Sequence, residues 1–173
     1  MNLAGLRALL PGVAPRTNTW YRIIDARFTS EIDEIAHTVL YSWRYNPKGE
    51  FGVLYLALSA DCAYRERLRQ AHGRAEDLPP LCVGTFKVRL TKCLDLTSPP
   101  VCAKLGIAAS RLLSTNDFSV AQSIAREARR VGFEAIVAPS AVGDDCRNLV
   151  VFKDKLLPPS RCICDPESIQ SYP

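Results

Sequence analysis

Apolar residues fall along this chain in short runs, each cut within a few positions by arginine, lysine, aspartate or proline. Tyr21-Arg22-Ile23-Ile24 predicts a short first strand. Over residues 30–40, Ile32, Ile35, Ala36 and Val39 recur at a helical step and predict a helix. Asn46-Pro47 and Lys48-Gly49 then supply turn chemistry, because a residue before proline is pushed out of the helical region. Residues 51–58 are mostly apolar, with Tyr55 in their middle, and predict a second strand. Ser59 can cap a helix over residues 60–72, with Asp61 favourable in its first turn. On that helix Ala63 and Glu66 share a face, which Gln70 extends.

In the second half, residues 73–80 read as a loop and 83–90 as a strand that continues toward 94–96, with Pro99 and Pro100 as punctuation. A weaker helical signal covers 105–113. The clearest helix starts near Phe118: Asn116 or Asp117 caps it, Ala121, Ile124, Ala125, Ala128 and Val131 repeat on one face, and Gly132 stops it. Residues 133–138 and 149–152 predict two more strands about a polar turn at 143–146. Pro158, Pro159, Pro166 and Pro173 predict an irregular tail or a wrap over the body. The expectation is one mixed α+β domain with five or so short strands and three or so helices. Its body covers residues 20–155, preceded by an arm at 1–19 that holds Pro11, Gly12 and Pro15, and followed by an irregular tail bearing Pro and Cys at 156–173. Strands and helices do not strictly alternate. With neither a Gly-x-Gly-x-x-Gly sequence nor a phosphate loop, dinucleotide-binding doubly wound folds and nucleotide triphosphatases are poor readings.

Composition narrows the class further. At 173 residues, 47% apolar and 23% charged, the chain can bury a core of its own and is neither disordered nor collagen-like. Its apolar runs are too short for a membrane helix and residues 1–11 too weak for an export signal, so a cytoplasmic location without membrane contact is expected. The net charge of +4 favours an anionic ligand, an acidic partner or nucleic acid. Two arginine clusters, Arg65, Arg67, Arg69 and Arg74, and Arg126, Arg129 and Arg130, lie on amphipathic helices where charge is normally a solvated face. Neither is interleaved with aromatics, so direct nucleic-acid binding is not expected. Seven cysteines make an odd set, and in a reducing compartment they read as small buried hydrophobes. Cys162-Ile163-Cys164 has no second pair or nearby histidine to complete a zinc shell, and no metal is expected.

Candidate chemistry rests on polar side chains set against apolar elements. A half-buried Glu66 needs a partner or a ligand; an exposed salt bridge to Arg65 or Arg69 is the alternative. Arg22, inside an apolar strand, and Arg44, in an aromatic-rich turn, suit bidentate binding of pyrophosphate or carboxylate; each also fits a surface charge on a buried stem. Tyr55 fits core packing as well as a site. Ser140, after Pro139 at a strand end, suits an anion or ribose contact, or a turn cap. No Gly-x-Ser-x-Gly elbow surrounds it, and His37 and His72 lack the partners of a hydrolytic triad.

In order along the chain, Tyr21-Arg22, Arg44-Tyr45-Asn46-Pro47-Lys48-Gly49, Leu54-Tyr55-Leu56-Ala57, Ala63-Tyr64-Arg65-Glu66, Gly132-Phe133-Glu134-Ala135-Ile136, Pro139-Ser140 and Asn148-Leu149-Val150-Val151-Phe152 resemble the blocks of the RES-domain family. The resemblance covers residues 20 to 155. It implies a compact fold like that of the ADP-ribosyltransferases, and a toxin that degrades NAD+ by cleaving the nicotinamide N-glycosidic bond through phosphorolysis or hydrolysis. Inorganic phosphate would then be a co-substrate, and a cognate Xre-type antitoxin the partner. Protein ADP-ribosylation, or a partner-binding module that keeps the fold without the chemistry, are the alternatives, and a homo-oligomer is compatible with either. By the same resemblance Arg22 and Arg44 hold the NAD phosphates, Tyr55 stacks near the nicotinamide, Glu66 steers reaction at the nicotinamide ribose, and Ser140 binds that end; Glu66, Tyr55 and Arg22 form the catalytic set. Two departures stand out. Ser42-Trp43 replaces two glycines and Ala135 a third, and the first should alter the path of the loop over the pocket.

Overall fold

The computed structural model describes residues 1–10 and 16–173. Strands β1 (Arg16–Asp25), β2 (Leu54–Ala57), β3 (Leu81–Leu90), β4 (Cys93–Asp95), β5 (Ala135–Pro139), β6 (Arg147–Val151) and β7 (Arg161–Tyr172) form one sheet. Their order is β4-β5-β6-β2-β1-β3-β7, and every pairing is antiparallel except that of β4 with β5. Helices α1 (Leu6–Leu9), α2 (Ala36–Val39), α3 (Ala60–Gln70), α4 (Pro99–Leu105), α5 (Ala109–Leu112) and α6 (Ser119–Val131) surround it. The expected α+β class, with short central strands and flanking helices, is what the chain adopts.

Side chains alternate across the sheet with a period of two. Ile136, Ala138, Val150 and Phe152 join Ile124, Ala125 and Ala128 of α6 in a core on one face. Ala135, Val137, Leu149 and Val151 join Trp20, Leu54, Leu56 and Phe86 in a second core on the other. Ile23, Ala57, Cys62 and Ala63 pack α3 against the first face. Sheet pairing is interrupted at one place that matters for the site. β2 pairs with β6 along its whole length, but with β1 at Tyr21↔Ala57 alone. The two strands therefore part where Arg22 and Tyr55 lie.

Several elements differ from the sequence reading. The helix expected over residues 30–40 shrinks to one turn, α2, and at its end Asn46 Nδ2 donates to Thr38 O (2.6 Å) and Tyr41 O (3.0 Å), satisfying carbonyls that a continuing helix would have used. Pro99 and Pro100, read as punctuation, begin α4, where a missing N–H costs nothing, and Gly106 at φ 61° ends it, so the weak helix expected over 105–113 shrinks to the single turn of α5. The arm expected at 1–19 packs into the body: Leu6 is fully buried, and residues 16–19 belong to β1. The stretch with Pro11, Gly12 and Pro15 lies outside the described residues.

The C-terminal segment is corrected most. Instead of an irregular tail, residues 161–172 form β7, a long edge strand on β3. Pro166 falls within a register shift between Val83 and Thr85, where an edge strand tolerates a residue that cannot donate, and Ser168 Oγ accepts from Thr85 N there (2.9 Å). The cysteine reading is corrected as well. Cys62 and Cys146 are joined by a disulfide across 84 positions rather than standing as separate buried thiols.

Gly52 shows how tightly α2 is set against the strand that follows. A Cβ there would meet Ile35 O at 2.6 Å and Thr38 Oγ1 at 2.9 Å. Gly52→Ala is expected to lower stability by roughly 1–3 kcal/mol, measured by urea unfolding.

Candidate functional site

Glu66 projects from α3 with its side chain only 19% exposed, and donors surround it. Ser140 Oγ donates to Glu66 Oε1 at 2.6 Å, Asn148 Nδ2 donates to the same oxygen at 2.9 Å, and Arg69 Nε donates to Oε2 at 3.2 Å. Local sequence explains each placement. Ser59 caps α3 by accepting from Cys62 N (3.1 Å), and Glu66 lies two turns further on, one turn beyond the buried Cys62 and Ala63. Ser140 ends β5 just beyond Pro139, and Asn148 lies on β6 directly opposite Ala138. Asn148 thus shares its face with Val150 and Phe152, the face α3 covers. An exposed salt bridge to Arg69 alone would leave Oε1 free; instead it accepts from two side chains of the sheet.

Arg44 approaches this cluster from a tight turn in which Trp43 N donates to Asn46 O (3.0 Å). Its Nη1 donates to Leu112 O (2.7 Å) and Ser114 O (2.6 Å), and its guanidinium lies 5.1 Å from the Phe118 ring centroid. Nη2 is buried and has no partner among the described residues. Burial pushes the group below its usual range, while the charges of Glu66 and Arg69 act on it from nearby. A buried guanidinium N–H with nothing to bond to is costly, and an anion would satisfy it.

Tyr55 serves the same turn. Its Oη accepts from Tyr45 N (2.9 Å) and donates to Asn46 Oδ1 (3.0 Å), and burial pushes the phenol well above its usual range, so it acts as a neutral hydroxyl. Its ring keeps partial exposure on the face shared with Asn148. Ser42 and Trp43, which stand where glycines were expected, are held by α6: Gln122 Nε2 donates to Ser42 Oγ and to Trp43 O, both at 2.9 Å. Tyr41 and Trp43 remain exposed, their ring centroids 6.2 Å apart. Beside Ser140 opens a cleft of about 490 Å³, lined by Leu96, Cys102, Ile107 and Leu113 with Arg147 at its polar end.

Arg22 stands apart from this cluster. It alternates with Trp20 and Ile24 onto the opposite face of the sheet, and among the described residues no hydrogen bond joins it to Glu66, Tyr55, Arg44 or Ser140. Arg22 Nη1 donates to Ile32 O (2.7 Å) and Glu34 O (3.1 Å), and the side chain is 8% exposed. It lies opposite Gly84, whose missing side chain leaves room for Ile32. Burial lowers its pKa to about 10, with the charge of Asp33 opposing the shift and that of Arg67 adding to it. Arg67 itself has a buried Nε that finds no partner among the described residues.

Sequence reasoning singled out Glu66, Arg44, Tyr55 and Ser140, and the fold brings these to one face of the sheet. It did not single out Asn148 or Arg69 as site residues. Their only signals were a polar residue heading an apolar strand and a basic residue three positions after Glu66. The arginines of α6 are spoken for: Arg126 pairs with Glu50, Arg129 with Asp154 and Arg130 with Glu127. One group of three potential metal ligands occurs among the described residues, Cys62, Asp145 and Cys146, and its two thiols are consumed by the disulfide. No helix among the described residues is long and apolar enough to cross a membrane.

The sequence pattern of the RES domain matches residues 19–168, from the middle of β1 into β7. This chain belongs to the RES-domain family. The match runs past residue 155 to include most of β7, and it contains Arg22, Arg44, Tyr55, Glu66, Ser140 and Asn148. Over 113 residues this RES domain is 35% identical to a probable NAD(+) phosphorylase of Mycobacterium tuberculosis, an alignment covering 63% of this chain and 52% of that protein. The match therefore spans about half the length of that relative. In the crystal structure of the M. tuberculosis MbcT–MbcA toxin–antitoxin complex, one chain shares the fold with a TM-score of 0.67 at 21% identity, over 94% of this chain and 93% of that one.

Proposed function

We infer that this RES domain is a toxin-type enzyme that degrades NAD+ by cleaving the bond between nicotinamide and ribose. The observation that carries the reading is the grip on Glu66 by Ser140, Asn148 and Arg69, with Arg44 near enough for the two charges to act on each other and its Nη2 without a partner among the described residues. Breaking the N-glycosidic bond develops positive charge on the ribose, which a fixed carboxylate stabilises, and nicotinamide leaves neutral without needing an acid. Arg44 would take a phosphate oxygen of the dinucleotide through Nη2. Tyr55 would border the nicotinamide and Ser140 would bind that end of the substrate. The apolar cleft beside Ser140 is large enough for a planar base. For Arg22 the proposed role is to hold the remaining phosphate charge from the parted edge of β1. The relative named as a probable NAD(+) phosphorylase supports the substrate and raises phosphate as the acceptor.

With inorganic phosphate as nucleophile, the products are nicotinamide and ADP-ribose 1-phosphate; with water, they are nicotinamide and ADP-ribose. Incubating the protein with NAD+, with and without phosphate, and identifying products by mass spectrometry decides between them. Appearance of ADP-ribose on a protein instead would favour transferase activity, and intact NAD+ in every arm would leave the binding-module reading. The proposed partner is a cognate antitoxin of the Xre type, acting in the cytoplasm and covering the pocket; the net charge of +4 suits an acidic segment of such a partner.

Asn148 gives a specific prediction. Asn148→Ala removes one donor from Oε1 and leaves the strand intact, so kcat should fall roughly tenfold with little change in KM. Steady-state NAD+ kinetics check this.

A further inference from the structure

Two segments build the grip on Glu66, and a disulfide joins the same two segments. Cys62 lies one helical turn before Glu66 on α3, while Cys146 lies between Ser140 and Asn148 in sequence, in the turn that links β5 to β6. The covalent bond therefore spans the helix that carries the carboxylate and the hairpin that carries two of its three donors. Few other strong links hold that turn to α3. Arg65 reaches Asp145 through two bonds, Nη1 to Oδ1 at 3.2 Å and Nη2 to Oδ2 at 2.9 Å, but both side chains are substantially exposed, so this link is open to water and salt in a way the covalent bond is not. The half-buried Val142 packs against the cluster around the bond. Glu66 is thus positioned by three hydrogen bonds within a frame whose covalent cross-link is Cys62–Cys146.

We propose that the Cys62–Cys146 bond is a redox control on the Glu66 site, with the oxidised form active and the reduced form weakened. This rests on the NAD+-cleaving reading of that site. Reduction consumes one dithiol: two electrons and two protons pass to the cysteine pair, the S–S bond breaks, two thiols form, and the dithiol closes to its own disulfide. The reverse step needs a disulfide oxidant, which is reduced to two thiols. Cysteines 62 and 146 are buried, but Asp144 and Asp145 beside them are exposed, so opening one surface turn uncovers the bond to a small reductant. In a cytoplasm the pair is expected in the dithiol state, where intracellular disulfides are usually transient and redox-sensing. An oxidising shift would then restore the frame and raise activity.

The experiment uses the full chain in three forms: oxidised by a small disulfide, reduced by excess dithiol, and carrying Cys62→Ser with Cys146→Ser. Peptide mass spectrometry reports the bond, NAD+ consumption reports the site, and hydrogen exchange over residues 140–148 reports the frame. The expected result is a kcat roughly tenfold higher in the oxidised form, a double variant that behaves like the reduced protein and ignores dithiol, and faster exchange over 140–148 in both of those. Equal turnover of oxidised and reduced protein overturns the proposal. So does an oxidised protein in which Cys62 and Cys146 remain free, or a dithiol effect that persists in the double variant. Should that variant not fold, reduction of the unmodified chain decides alone. If no form consumes NAD+, the functional reading fails on its own account, and the exchange data still test the frame: unchanged exchange on reduction overturns it.

Discussion

Glu66→Gln should lower kcat for NAD+ cleavage by on the order of a hundredfold or more, about 2.7 kcal/mol of transition-state stabilisation, with the melting temperature little changed. The substitution keeps the size of the side chain and an acceptor oxygen for Ser140 and Asn148. What it removes is the negative charge that, in the proposed reaction, faces a ribose becoming positive as nicotinamide departs. Because the interaction strengthens only as that charge develops, KM should move much less than kcat. A variant with near-normal turnover would take Glu66 out of the chemistry and leave it as a structural acceptor between α3 and the β5–β6 hairpin. Steady-state kinetics with a parallel thermal melt separate the two outcomes.

The second large effect is expected at Arg44. The two ends of its guanidinium differ: Nη1 is committed to the carbonyls of Leu112 and Ser114, while Nη2 is buried with no partner among the described residues. Lysine keeps the charge, but a single ammonium cannot hold both carbonyls and also present a second donor in a fixed direction. Arg44→Lys should therefore reduce kcat/KM roughly 50-fold, chiefly through KM, and lower the melting temperature because a buried carbonyl loses its donor. Arg22→Lys is expected to weaken NAD+ use as well, with a larger share of its effect on stability, since Arg22 Nη1 is committed to Ile32 O and Glu34 O. If Arg44→Lys leaves both constants unchanged, the orphaned nitrogen is not an anion contact. NAD+ titration by calorimetry provides the check on affinity.

Local pattern carried much of this protein. The step of Ala121, Ile124, Ala125 and Ala128 up to Gly132 specified α6, because a helix buries a stripe every three to four residues and glycine accepts the left-handed stop. Ser59 and Asp61 likewise marked the start of α3, and the ordered blocks around Arg44, Tyr55, Glu66 and Ser140 marked the family. These are short-range signals, each complete within a turn or a strand. Partners distant in sequence were not legible in the same way. Asn148 reaches Glu66 across 82 positions and Cys146 reaches Cys62 across 84, and neither residue carries a local mark of its partner. The strand β7 was hidden for a related reason: Pro166 within it and Pro158, Pro159 and Pro173 on its flanks argue against a strand taken alone, and only pairing with β3 makes an edge position and a register shift available to Pro166. Arg22 was assigned correctly to a strand, but which face it occupies depends on the register of β1 against β3. A shift of one residue would turn every side chain of that strand over, and long-range pairing alone chooses between the two.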